Sequence, residues 1–241
     1  MRLRFRIKSF RRIVPAAVIA AIGVVALAGT ALAHGIAGKD GAFVAATQGA
    51  DVLPFLYLGA KHMVTGYDHL LFLLGVIFFL YRMRDVAVYV TLFSIGHSIT
   101  LLSGVLLTIN VNPFVIDAII GLSVVYKAFD NLDGFKSFFG VTPDTRIAVG
   151  TFGLIHGFGL ATKLQAMAPS ENGLVANLVA FNVGVEIGQL IALSLILAVM
   201  VLWRRAATFQ RQAVLANVAI MTAGFVLMEY QIAGYFNAVG A

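Results

Sequence analysis

No cysteine occurs among the 241 residues, so neither a disulfide nor a thiolate-bound metal can exist in this chain. Any metal would have to sit on nitrogen and oxygen. Charge is scarce as well. Only 12% of residues are charged against 60% hydrophobic, and a mean hydropathy of +0.94 lies outside the range of soluble globular domains. The composition predicts an all-α integral membrane protein, a helical bundle in a lipid bilayer. Acidic residues are missing from the first 33 positions, which hold Arg2, Arg4, Arg6, Lys8, Arg11 and Arg12. Those six account for the whole formal net charge of +6, because the rest of the chain balances 11 basic residues against 11 acidic ones. The pI near 9.8 therefore carries no argument for a nucleic-acid partner.

The basic start, the apolar run from Ile13 to Leu27 and the Ala31-Leu32-Ala33 tripeptide are the three parts of a secretory signal peptide, residues 1–33. An uncleaved first helix is the alternative, since the apolar run is near the length at which signals and anchors overlap. With cleavage the mature chain begins at His34, whose amine and imidazole can chelate a metal together; a disordered periplasmic end is the plainer reading. Residues 34–50 are expected as a periplasmic N-terminal segment, and 51–241 as a domain of about six transmembrane helices. The apolar segments run over 52–81, 86–109, 113–129, 146–164, 173–203 and 212–236, each near the length that crosses ~30 Å of hydrocarbon. The first is too long for one straight span, and Pro54 and Gly59 suggest a short outer piece before the main helix. Pro113 suits the first turn of the third. Arg82, Arg84, Lys127, Lys136, Arg146, Arg204, Arg205 and Arg211 fall on one side and Lys39, Lys61 and Lys163 on the other. This bias places both ends of the mature chain in the periplasm of a bacterial inner membrane.

Polar residues inside such segments need a reason, because a charged side chain near the bilayer centre costs about 2.5–3.5 kcal/mol on insertion scales. The stretch KHMVTGYDHLLFLL holds His62, Asp68 and His69. In an unbroken helix His62 and His69 share a face but lie about 10 Å apart along the axis, and Gly66 between them can supply a break. Asp68 can bind an ion itself or orient a histidine ring from a neighbouring helix, while His62 can instead sit at the interface. SIGHSIT places His97 beside Ser98 and Thr100, ordinary helix glue by themselves. FGLIHGFGLA sets His156 between Gly153 and Gly157, a spacing that allows close helix approach. In FNVGVEIGQL, Asn182, Glu186 and Gln189 form one helical stripe, readable as a metal site or as a buried hydrogen-bond network, with Gly184 and Gly188 as a second close-approach pair. Asp117 and Glu229 lie in the outer halves of their segments, Glu229 where it can snorkel to the surface. All histidines lie outside the membrane or at one embedded level; the inner halves have none.

Three or four neutral imidazoles with two carboxylates suit a borderline divalent ion such as nickel, cobalt, zinc or copper(II), and not magnesium or calcium. HMVTGYDHLLFLL, GHSITL, FGLIHGFG and FNVGVEIGQL, in this order on successive hydrophobic segments, resemble the HupE/UreJ family of bacterial membrane proteins, especially its second branch. The resemblance covers nearly the whole chain after the signal segment. It implies a nickel or cobalt permease of the kind associated with nickel-dependent hydrogenase and urease systems. His62, Asp68 and His69 are similar to the family's signature, and His97, His156 and Glu186 match its remaining polar positions. Asp117 stands in the third segment where many relatives have glutamate.

The expectation is therefore transport of a divalent transition metal from the periplasm through His69, Asp68, His97, His156 and Glu186, with His62 and Asp117 as further metal ligands. Asn182, Gln189, Ser98 and Thr100 are supporting polar groups. Partners are the metal ion and the bilayer, with a homo-oligomer left open. Two alternatives stand beside it. A membrane-embedded hydrolase would use zinc to activate water, and a sensor or assembly subunit would bind metal without turnover.

Overall fold

The computed structural model describes residues 39–167 and 169–239, so the expected signal peptide, its cleavage position and His34 lie outside the described residues. The rest is helical: α1 (Lys39–Ala46), α2 (Val52–Thr65), α3 (Tyr67–Ile77), α4 (Met83–Leu106), α5 (Pro113–Asn131), α6 (Gly134–Phe139), α7 (Thr145–Ala166), α8 (Leu174–Trp203) and α9 (Phe209–Val239). Local chemistry marks several starts. The Asn112 side chain accepts from the Phe114 and Val115 amides at 3.0 and 3.2 Å, with Pro113 in the first turn. Asp144 accepts from the Arg146 amide at 2.8 Å to open α7.

Among the described residues four helices, α4, α7, α8 and α9, are long and apolar enough to cross a membrane. Their flanks are apolar and exposed, as at Leu190 (60%), Leu195 (64%) and Leu215 (70%), a surface that fits lipid and not water. The other two expected crossings differ in kind. Helix α5 carries Asp117, Lys127 and Asp130 within 19 residues, and the first is split between α2 and α3. The split falls at Gly66, which the sequence offers as a break between His62 and His69, and not at Pro54 or Gly59, the other two positions it suggests. Pro54 lies in the first turn of α2, where its missing N–H leaves no hydrogen bond unmade. Gly59 is a point of contact: a Cβ there would run into the Phe181 carbonyl of α8.

The helices associate as three close pairs, α4 with α7, α2 with α8, and α5 with α9; short α3 lies among them and touches α2, α5, α8 and α9. Glycines set the approach. Opposite Gly59, Gly184 faces the Leu56 carbonyl, and Gly157 on α7 lies against the His97 carbonyl and the Thr100 hydroxyl of α4. Thr100 then donates across the pair to the Leu154 carbonyl at 2.7 Å. Helix α1, inside the segment expected as a periplasmic lead, docks through Phe43 on Phe55 at 6.0 Å and through Asp40 on Lys61 at 2.7 Å. The opposite end of the bundle is closed by Phe78 among Phe79, Trp203 and Phe209. Arg204 donates to the Ile77 and Phe78 carbonyls that α3 leaves open there. Beside them Asn131 donates to the Gly75 carbonyl at 2.8 Å and to Asn217 at 2.9 Å.

Candidate metal site

Gly66 (φ −74°, ψ 100°) turns the chain out of α2 and into α3 within one residue. An uninterrupted helix would hold His62 and His69 about 10 Å apart; the break brings their ring centres to 5.1 Å. Space at Gly66 is limiting: a Cβ would come within 3.0 Å of the His69 ring and 3.1 Å of the Asp68 carboxylate. The close α4–α7 pair supplies the other two rings, with His156 5.0 Å and His97 6.1 Å from His69. His69, His97 and His156 are each 3% exposed or less. Phe72 and Phe93 close around them, Phe93 at 5.1 Å from His156 and 6.1 Å from His97.

Two of the tautomers follow from the partners. His69 Nδ1 lies 2.9 Å from the Asp68 carboxylate, and His156 Nδ1 lies 2.7 Å from the Phe152 carbonyl. Both partners accept only, so each Nδ1 carries the proton and each Nε2 keeps its lone pair. The carboxylate thus orients the ring of the next residue on its own helix; a ring on a neighbouring helix is not its partner. The Asp68 Oδ1 atom also accepts from the His69 amide at 2.9 Å, which fixes it in the first turn of α3. Asp68→Asn is expected to weaken cation binding about 10–100-fold, the usual effect of losing a carboxylate behind a histidine ligand. Calorimetric titration of purified protein with nickel or cobalt checks this, and an unchanged affinity would remove Asp68 from any role in binding.

The Nε2 atoms of His62, His69, His97 and His156 are all buried and have no hydrogen-bond partner. An unsatisfied buried polar group costs about 1–3 kcal/mol, so four together cost on the order of 4–12 kcal/mol, comparable to the whole stability of a domain. Two imidazoles on one tetrahedral metal, with metal–nitrogen bonds of about 2.0–2.1 Å, have ring centres roughly 5 Å apart. The spacings from His69 to His62 and His156 match this in distance, and the one to His97 is about 1 Å longer. As they stand, though, no group of three or more histidine, cysteine, aspartate or glutamate side chains among the described residues is arranged to hold an ion. The rings are near coordinating positions and need side-chain rotation to converge.

The remaining residues divide. Asn182 donates to Ser98 at 2.9 Å and Ser94 donates to Gln189 at 2.9 Å, tying α8 to α4. Asn182 Oδ1 and Gln189 Nε2 are left buried without a partner. Glu186, expected beside them, is exposed on the outer face of α8 among Val183, Ile187 and Leu190. At about 100° per residue it is rotated some 40° from Asn182 and 60° from Gln189, enough to carry it over the edge of the buried face. Glu186→Gln is therefore expected to leave cation affinity at the wild-type value in the same titration. Glu229 is half-buried on α9.

Asp117 is ion-paired with Lys163 at 2.9 Å. With Asp68, Tyr67, Thr222 and Gln231 this pair lines a cavity of about 440 Å³ between α3, α5, α7 and α9, walled mainly by apolar side chains. Sequence reasoning missed Lys163, which it used only for orientation. The available signal was spacing, since Lys163 follows His156 by seven residues on the same face of α7. It missed Ser94 too, which stands one turn before Ser98 on α4.

The fold and the rings define a class: a helical membrane protein with buried imidazoles gathered at its centre beside a chamber that holds two carboxylates. Within that class the chain belongs to the HupE/UreJ family, whose profile, described as HupE / UreJ protein, matches residues 38–239. Members are generally membrane proteins associated with nickel and cobalt transport. No curated protein and no solved structure matches the chain.

Proposed function

We propose that this protein carries a divalent transition-metal ion, nickel or cobalt, across the bacterial inner membrane through the histidine cluster. The observation that carries the reading is the set of four unpartnered Nε2 atoms around His69. Neutral imidazole suits a borderline metal, and a bound cation would offset the burial of those nitrogens. Asp68 supplies negative charge next to the cluster and Asp117 supplies more from the chamber. In this reading the split α2–α3 unit counts as one of six crossings, and the lysine and arginine bias supports chain ends and a chamber that face the periplasm. Cargo then enters from the periplasm and meets the rings near mid-membrane. Inward release requires the aromatic closure around Phe78 to separate.

Purified protein in sealed liposomes, with a metal-sensitive dye inside, tests this. Saturable nickel or cobalt influx above empty vesicles is expected. If influx stays at the background rate while the protein retains metal, carriage is wrong. The membrane-embedded hydrolase then becomes the better reading, favoured by the largely apolar chamber beside Asp68 and by the open position that catalytic zinc requires.

A further inference from the structure

A positive charge stands in the chamber through which a cation would approach, and the transport reading by itself does not account for it. Lys163 Nζ lies 2.9 and 3.1 Å from the two oxygens of Asp117, in the same cavity that Asp68 lines. The three groups sum to one negative charge. Asp68 spends its Oδ1 on the His69 ring and amide, whereas both oxygens of Asp117, the other carboxylate in the chamber, are held by Lys163. A divalent ion cannot be neutralised there while the ammonium remains. The pair is nevertheless reachable, with 24% of the lysine side chain and 14% of the aspartate side chain exposed. Lys163 lies three residues from the end of α7. Its flexible stem can therefore carry the ammonium toward the membrane surface and the last carbonyls of the helix. The same helix places His156 two turns deeper on the same face, about 10 Å along the axis, so the pair stands above the cluster.

We infer that Lys163 is a displaceable counter-cation: it occupies Asp117 while the chamber is empty and yields that carboxylate to the incoming divalent ion, which sets how tightly the cargo is admitted. This rests on the metal-transport reading and adds to it a residue that determines specificity for charge. The ammonium keeps an empty chamber from trapping a stray cation. Its outward swing links arrival of the cargo to a change on the periplasmic side.

The test is calorimetric titration of full-length protein in nanodiscs with nickel chloride. Lys163→Met frees Asp117 and is expected to bind at least tenfold more tightly than wild type. Asp117→Asn leaves the ammonium without its partner and is expected to bind at least tenfold more weakly. The Asp117→Asn/Lys163→Met double variant is expected to lie between them, and Lys163→Arg, which keeps the charge, close to wild type. A purely structural ion pair would instead weaken binding in all three charge-removing variants. Folded Lys163→Met with wild-type or weaker affinity overturns the inference. If that variant does not fold, the double variant against Asp117→Asn decides, and equal affinity overturns it. Should wild type itself bind no nickel or cobalt, the transport reading falls. Should wild type bind, and lose binding on replacement of His69, while the Lys163 series does not move, only this inference falls.

Discussion

Replacing His69 by alanine is expected to abolish retention of nickel or cobalt by the purified protein, with a loss of affinity beyond the 10–100-fold that an outer-shell change produces. His69 is the hub of the cluster, with the rings of His62, His156 and His97 at 5.1, 5.0 and 6.1 Å. The Asp68 carboxylate acts through the same ring. Removing it takes away one donor nitrogen, disconnects one negative charge and leaves the other three rings around a gap. The fold should survive. Alanine is the best helix former, and α3 keeps Phe72, Leu73, Val76 and Ile77 buried. Metal content after gentle purification, read with thermal unfolding of the same sample, checks both halves. Full metal content in a folded His69→Ala protein would refute the proposed site. Loss of folding instead would move the question to His97→Ala and His156→Ala, which lie on longer helices.

The second large effect concerns the α4–α7 contact. Gly157→Val is expected to destabilise the bundle by about 3 kcal/mol or more, at the upper end for an overfilled interior. A Cβ at position 157 would collide with the His97 carbonyl and the Thr100 hydroxyl. One of these is backbone and cannot turn aside, so the helices must separate. Separation also breaks the Thr100 hydrogen bond to Leu154 and draws His97 away from His156, so metal retention should fall with stability. Gly150→Ala on the same helix is the control: nothing lies within 4 Å of a Cβ there, and alanine improves helix propensity. Thermal melts of both variants in one detergent decide the matter. A Gly157→Val protein as stable as Gly150→Ala would mean that close approach does not hold this pair together.

Much of this architecture was legible because the bilayer restricts what a chain can do. Runs of apolar residues near twenty long have to be helices, so the all-helical class followed from hydropathy alone, and Pro113 marked the start of α5 by local chemistry. Gly153, Gly157, Gly184 and Gly188 were readable as contact points for the same reason: without side chains there, helices can touch. The break in the first segment was harder. Three residues, Pro54, Gly59 and Gly66, carried the same kind of signal, and their tolerance depends on surroundings. Pro54 is absorbed by a helix start and Gly59 by the Phe181 backbone, which leaves Gly66 as the bend.

By itself the sequence determined that the chain is an all-helical membrane protein with imidazole and carboxylate inside its apolar segments and no thiol, because hydropathy is a property of the chain read one residue after another. Tertiary structure alone decided which of those groups meet. Glu186 and Asn182 share a stripe by periodicity, yet a rotation of about 40° carries one outside and keeps the other against Ser98. Asp117 reads from the sequence as a lone carboxylate, and only the fold shows Lys163, 46 residues away, on its oxygens. Partners across helices depend on how helices rotate and approach, and those are set by the summed contacts of whole faces, which no local pattern contains.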